Sequence, residues 1–204
     1  MTISLYLSFC LASFLMALMP GPDNIYVITE SIANGKRQGI IIAMGLNSGV
    51  LIHTLAAATG VSLILKQSAI AFQVVQYAGV AYLLYLAWQA YREKARYEEQ
   101  EAIVSKSGFQ LFKVGITMNL LNPKVALFFI AFLPQFVRED GWSPIWQMIL
   151  MGGSFMLIGF ITFSSFALLA DQLRSLFKSE GFMKKVKWAK IIVLLILAVY
   201  LIIG

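Results

Sequence analysis

Two proline motifs interrupt otherwise apolar runs of this chain, and each carries an ionisable side chain beside it. Pro20-Gly21-Pro22-Asp23-Asn24 breaks the first run, and Asn122-Pro123-Lys124 breaks another far downstream. Proline removes a backbone donor and clashes with the preceding turn. Each break therefore frees main-chain carbonyls and exposes a half-helix N-terminus whose partial positive charge suits an anion. With one carboxylate (Asp23) and one ammonium (Lys124) close by, such groups suit a small zwitterion. Donors would take its carboxylate, and carbonyls or Asp23 its ammonium. The competing reading of either motif is a kink whose polar neighbours only cap the break. Two matched breaks in apolar segments favour a binding site.

The neighbouring residues sharpen this. Asp23, Tyr26 and Glu30 fall on one helix face. Asp23 could hold a substrate ammonium, carry a proton, partner Lys124 or cap the second half-helix. Glu30 reads as an interfacial charge near a helix end. Lys124 lies near the middle of its run, too deep to snorkel out, and so needs a partner or a cavity. His53 is the sole histidine and follows Gly45 and Gly49 at four-residue steps, on the close-packing face of its helix. It suits either a proton relay or a hydrogen bond to a neighbouring helix. Asn24, Asn119 and Asn122 flank the breaks and could line the site. Asn47 sits off the Gly45/His53 face and reads as a hydrogen bond between helices.

The elements that must position these groups are membrane helices. The 204 residues are 59% hydrophobic and 13% charged, with a mean hydropathy of +0.78. Ordinary soluble domains carry about 25% charged residues, so the composition indicates an all-α integral membrane protein. Six segments are long enough to cross a bilayer: 4–28, 39–65, 68–91, 111–137, 144–170 and 188–204. The first and fourth are single spans only if the proline breaks lie inside them. No stretch between the spans has room for a soluble domain, so residues 1–204 read as one transmembrane domain. The N-terminal segment has no basic region ahead of its apolar run and reads as a retained helix, not a cleaved signal. Cys10 is the only cysteine, which excludes an internal disulfide, a Cys-rich metal site and a dithiol relay. No metal or cofactor is expected.

The formal net charge is +6, but the basic residues lie in loops and form no nucleic-acid groove. Lys36 and Arg37, then Arg92, Lys94, Arg96, Lys106 and Lys113, then Arg174, Lys178, Lys184, Lys185, Lys187 and Lys190 fall in alternate loops. The remaining loops hold only Lys66 and Arg138. The positive-inside rule then puts the basic loops in the cytoplasm and both termini in the periplasm. The mixed-sign stretch from Arg92 to Lys106 reads as a solvated helical extension or hinge. The basic 174–190 stretch reads as an orientation signal against anionic headgroups. Three spans per half make the halves face opposite ways, a 3+3 inverted repeat with broken helices 1 and 4 in equivalent places.

Several motifs carry a resemblance over essentially the whole chain. They are Pro20-Gly21-Pro22-Asp23-Asn24, Asn34-Gly35-Lys36-Arg37-Gln38-Gly39, Gly45 to His53, Ala78-Gly79-Val80-Ala81-Tyr82-Leu83, Asn119-Leu120-Leu121-Asn122-Pro123-Lys124 and Phe132-Leu133-Pro134-Gln135-Phe136. Together they resemble the LysE/RhtB family of amino-acid exporters. The resemblance implies efflux of amino acids or close derivatives from the bacterial cytoplasm across the inner membrane, by proton-driven exchange. The expected cargo is a small zwitterion such as threonine, homoserine or leucine. Pro20, Gly21, Pro22, Asp23, Asn24, Asn119, Asn122, Pro123 and Lys124 would form the site, with Asp23 or His53 handling protons. The expected partners are the cargo, protons and the lipid bilayer, with no nucleic acid. A homodimer is plausible because six short helices enclose little volume. The alternatives are an exporter of another metabolite or ion, or a relative of thiol-redox carriers that has lost its cysteines. A metal exporter would want clustered Cys, His or carboxylates, and a channel a charge ring or carbonyl filter.

Overall fold

The computed structural model describes residues 2–61, 69–92, 106–138, 141–177 and 179–203, and every regular element among them is helical. Helix α1 (Ile3–Leu18) starts where the Thr2 side chain accepts from the Leu5 N–H. It buries Phe9, Ala12, Ser13 and Met16 while exposing Leu7, Leu11, Phe14 and Leu18. A stripe of bare leucines at helical spacing suits lipid and would be a liability in water. After Pro20-Gly21 the chain restarts as α2 (Pro22–Asn34). Gly35, at φ +93°, turns it directly into α3 (Lys36–Ala56). Only glycine enters that left-handed region without steric cost. Helix α3 continues as a π-helical turn, Ala57–Val61. Helix α4 is Ala69–Arg92.

The second part of the chain also contains a helix broken at a proline. Helix α5 (Gly108–Leu120) opens with a Ser107/Gln110 capping box. After Asn122 comes α6 (Pro123–Leu127), then a π-helical turn, Phe128–Phe132, and a 3-10 turn, Leu133–Phe136. Pro134 has no N–H for the Ile130 carbonyl, so a regular α-helix cannot continue through this stretch. Helices α7 (Pro144–Leu168), α8 (Ala170–Phe177) and α9 (Glu180–Ile203) follow.

Among the described residues, three helical segments are long and apolar enough to cross a membrane: Lys36–Gly60, α7 and α9. Two bent pairs bring the candidates to as many as five. Ile3–Leu18 with Pro22–Asn34 bends by 56°, and Gly108–Leu120 with Pro123–Phe136 bends by 52°. The breaks thus fall inside apolar runs one and four, as expected. The ends of runs 39–65 and 68–91 that fall in 62–68, Lys66 itself, and the Arg92–Lys106 connection expected as a hinge lie largely outside the described residues. Aromatic side chains gather where interfacial anchors belong. Trp142 and Trp146 are exposed at the start of α7, and Trp88, Tyr91 and Trp188 at the ends of α4 and α9 where Arg92 and Lys187 sit.

Helix α3 is the centre of the packing, against α5 on one side and α7 on the other. Helix α4 pairs with α9, and α1 lies along α7. Glycines make these contacts close. A Cβ on Gly115 would come within 2.5 Å of the Ile42 carbonyl oxygen, and one on Gly45 would collide with the Phe112 carbonyl. An aromatic cluster ties the 128–136 segment to α1, with the rings of Phe9 and Phe136 centred 5.3 Å apart and those of Phe128 and Phe132 5.0 Å apart.

Two expectations need correction. Glu30, expected as a cheap charge near a helix end, is not exposed: it is 3% accessible and accepts from Asn34 Nδ2 at 2.6 Å. The 56° bend swings α2 beneath α3, α7 and α8, burying a residue that a straight helix would present at a surface. Asn47 makes no hydrogen bond between helices. Its Nδ2 donates to the Ala43 carbonyl of its own helix at 2.7 Å, and its buried Oδ1 has no partner. Gly159 of α7 lies against that oxygen without offering it a donor.

Candidate functional site

Each break can be followed through the carbonyls it frees. A proline at position i leaves the carbonyl at i−4 without its helical donor. For Pro20 that carbonyl belongs to Met16. It is taken by Lys124 Nζ at 3.3 Å, and the same ammonium donates to the Met19 carbonyl at 3.4 Å. The Ala17 carbonyl between them accepts from Asn24 Nδ2 at 2.9 Å. The ragged C-terminal end of α1 is thus capped by a lysine from the second break and an asparagine from α2. A cation at a helix C-terminus is also favoured by the helix dipole.

The second break follows the same logic. Pro123 takes away the regular i+4 donor of the Asn119 carbonyl, which accepts instead from the Asn122 N–H at 3.0 Å. His53 Nε2 of α3 lies 3.3 Å from that oxygen. A carbonyl can only accept, so Nε2 carries the proton in this contact. The imidazole also stacks on Phe129, 6.0 Å between ring centroids. Asn122 caps α6 through Oδ1, which accepts from the Lys124 N–H at 3.0 Å, and its Nδ2 donates to Asp23 Oδ2 at 2.6 Å. Asp23 stands in the first turn of α2, where a carboxylate is stabilised by the exposed N–H groups.

The sequence-predicted residues therefore converge, with one change of partners. Asp23 and Lys124 do not form a direct ion pair. Asn122 stands between them, giving its amide N–H to one and its oxygen to the backbone of the other. The lysine turns to the freed carbonyls because those acceptors would otherwise be buried and unpaired, which costs about 1–3 kcal/mol each. Asn24 and Asn119 are both buried at the breaks, and the Oδ1 atom of each lacks a partner. His53 meets the site through the Asn119 carbonyl. Glu30, further along α2, is engaged with Asn34 instead.

Reading side chains alone misses the Met16, Ala17 and Met19 carbonyls. The signal for Met16 and Asn119 is present all the same, four residues before a proline. A void of about 10 Å³ borders Met16, Lys124 and Phe128. That is room for roughly one water, far short of the several hundred Å³ typical of ligand pockets. Asp23, Asn24 and Asn119 nearby are each at most 3% exposed.

Membrane-embedded broken helices with a carboxylate and an ammonium between them are the expected furniture of a small-solute carrier, and comparison with known proteins agrees. The chain is 29% identical to the homoserine/homoserine lactone efflux protein of Salmonella typhimurium over 184 residues, covering 90% of this chain and 89% of that one. It is 29% identical over 140 residues to the leucine efflux protein of Klebsiella pneumoniae, covering 68% and 66%. It is 28% identical over 187 residues to an uncharacterized membrane protein of Vibrio cholerae, covering 91% and 90%. No solved structure matches it. The model of the LysE type translocator matches residues 14–204, and the chain belongs to that family of multi-pass membrane translocators.

Proposed function

We propose that this protein exports an amino acid or close derivative from the cytoplasm across the bacterial inner membrane by proton-coupled exchange. One observation carries the reading: both proline breaks converge on Asp23, Asn122 and Lys124. One charge of each sign, freed carbonyls and two half-helix N-termini suit an amino acid. The relatives' names point the same way. Homoserine, homoserine lactone and leucine share an α-ammonium, whereas the lactone has no free carboxylate. The cation end of the cargo is thus what a common site must recognise.

In this reading the substrate-binding residues are Pro20, Gly21, Pro22, Asp23, Asn24, Asn119, Asn122, Pro123 and Lys124. Asp23 carries the proton, because it is the carboxylate nearest the exchange. His53 braces the second break. The chain forms one domain of six spans, with α1/α2, α3 and α4 repeated as α5/α6, α7 and α9. The packing supports this pairing. Exchanging the halves maps the α3–α5 contact onto α7–α1 and maps α3–α7 and α4–α9 onto themselves. Inversion of the two halves, periplasmic termini and a homodimeric assembly complete the proposal.

A panel of toxic amino acids and analogues tests it. Cells overexpressing the protein should tolerate higher concentrations of at least one amino acid and release it faster. Equal sensitivity across the panel, with the protein present in the membrane, would falsify the reading.

A further inference from the structure

The ammonium of Lys124 is a primary ammonium on a tether, and it sits on main-chain carbonyls. We propose that the Met16 and Met19 carbonyls, with Asn24 Oδ1, form the subsite for the cargo's primary ammonium, and that Lys124 fills this subsite in the empty protein. The cargo's ammonium displaces the lysine, which is then free for the cargo's carboxylate or for Asp23. The inference rests on the amino-acid reading above and goes further by naming the atoms that hold the cation and their resting occupant.

Three observations support it. A primary ammonium offers three N–H donors, and the lysine spends two of them on Met16 and Met19, at 3.3 and 3.4 Å. A further acceptor borders the same glycine and is not engaged by the lysine. Asn24 is 3% exposed, anchored through Nδ2 to the Ala17 carbonyl, and its Oδ1 has no partner. Second, Lys124 Nζ, Asn24 Oδ1 and the Met19 oxygen all border Gly21. A Cβ built on Gly21 would lie 3.6 Å from Lys124 Nζ and 3.9 Å from both Asn24 Oδ1 and the Met19 oxygen. Third, the void of about 10 Å³ bordering Met16 and Lys124 has no room for a whole amino acid beside the lysine, which favours exchange of the two. Main-chain acceptors also fit a carrier that tolerates varied side chains, because they read only the part that amino acids have in common.

Chemical rescue separates this proposal from the transport reading. Lys124→Ala empties the subsite, and the purified protein in detergent can be titrated with methylammonium chloride. Tetramethylammonium, which has no N–H, and sodium at matched ionic strength serve as controls. The expected result is a saturable rise in Tm with methylammonium alone, absent from the wild-type protein whose lysine occupies the place. No rise, an equal rise with sodium, or an equal rise in the wild type overturns the assignment.

If Lys124→Ala does not fold, Gly21→Ala carries the test in a protein that keeps its lysine. The new methyl sits at ordinary contact distance from every neighbour, so Tm should hold, while the room for exchange is filled. Export should fall about tenfold or more, the worth of one charge-assisted hydrogen bond; undiminished export overturns the assignment. Failure of the substrate panel in the wild type sinks the transport reading alone, because the methylammonium result needs no transport.

Discussion

Lys124 donates to the main-chain carbonyl of Met16, which lies 108 residues earlier in the chain and four residues before Pro20. One broken helix is thereby capped by the first turn of the other. If the breaks exist to free these carbonyls, restoring the helix should disarm the site. Pro20→Ala supplies the helical N–H for the Met16 carbonyl, and Pro123→Ala restores the regular i+4 donor for the Asn119 carbonyl in place of the Asn122 N–H. Each variant should insert and stay monodisperse in detergent while efflux falls to a small fraction of wild type. Wild-type efflux from the Pro20→Ala/Pro123→Ala double variant would reduce the breaks to ordinary kinks.

Neutralising the charges distinguishes a working site from a scaffold. Asp23→Asn and Lys124→Gln should each abolish export, and the double variant should remain inactive with a Tm at least as high as the less stable single variant. Export recovered in the double variant would mean that the two charges serve only each other.

Asn122 joins the two breaks with a single side chain, capping α6 and donating to Asp23. Asn122→Ala removes both contacts and should cost about 1–3 kcal/mol, read as a lower Tm, with efflux reduced in parallel. An unchanged Tm would show that water replaces both bonds and that the bridge is dispensable.

His53 separates bracing from proton carriage. A glutamine can still give an amide N–H to the Asn119 carbonyl but cannot titrate. His53→Gln should therefore keep most of the efflux, whereas His53→Ala should lose it. If glutamine is as inactive as alanine, and the dependence of flux on the proton gradient disappears with it, the histidine is the proton carrier.

Topology is tested by reporters active only outside the cytoplasm. A fusion at Gly204 should be active and one near Glu99 silent. The opposite pattern would reverse the orientation read from the basic loops.

The breaks and their charged neighbours were legible in the sequence because proline acts on the backbone wherever it falls, and apolar runs make any polar residue conspicuous. The same rule identified the Gly45/Gly49/His53 face, which meets α5 at Phe112, Gly115 and Asn119. What was not legible was the choice of partner. Opposite charges suggest a pair, yet main-chain acceptors have no letter of their own, and Lys124 chose Met16 and Met19. Glu30 was misplaced for a geometric reason. A bend of 56° cannot be read from composition, and it turns a helix end into buried ground. Asn47 spends its amide N–H within its own helix and leaves its oxygen without a partner, as asparagines can when the local carbonyl is nearer than any neighbour.

The glycine contacts around α3 have a mechanical consequence. Gly45 and Gly115 bring backbone against backbone with α5, and Gly152 of α7 fits against Thr54 of α3. Sliding α3 by one residue along either neighbour would drive a side chain into those seams, and a packed interior resists that abruptly, not gradually. The three helices therefore behave as a stiff spine. Whatever stroke moves solute must be made by the pieces hinged on it, the half-helices that begin at Pro22 and Pro123, which are short, are joined to their partners by only a few residues, and carry the charges with them.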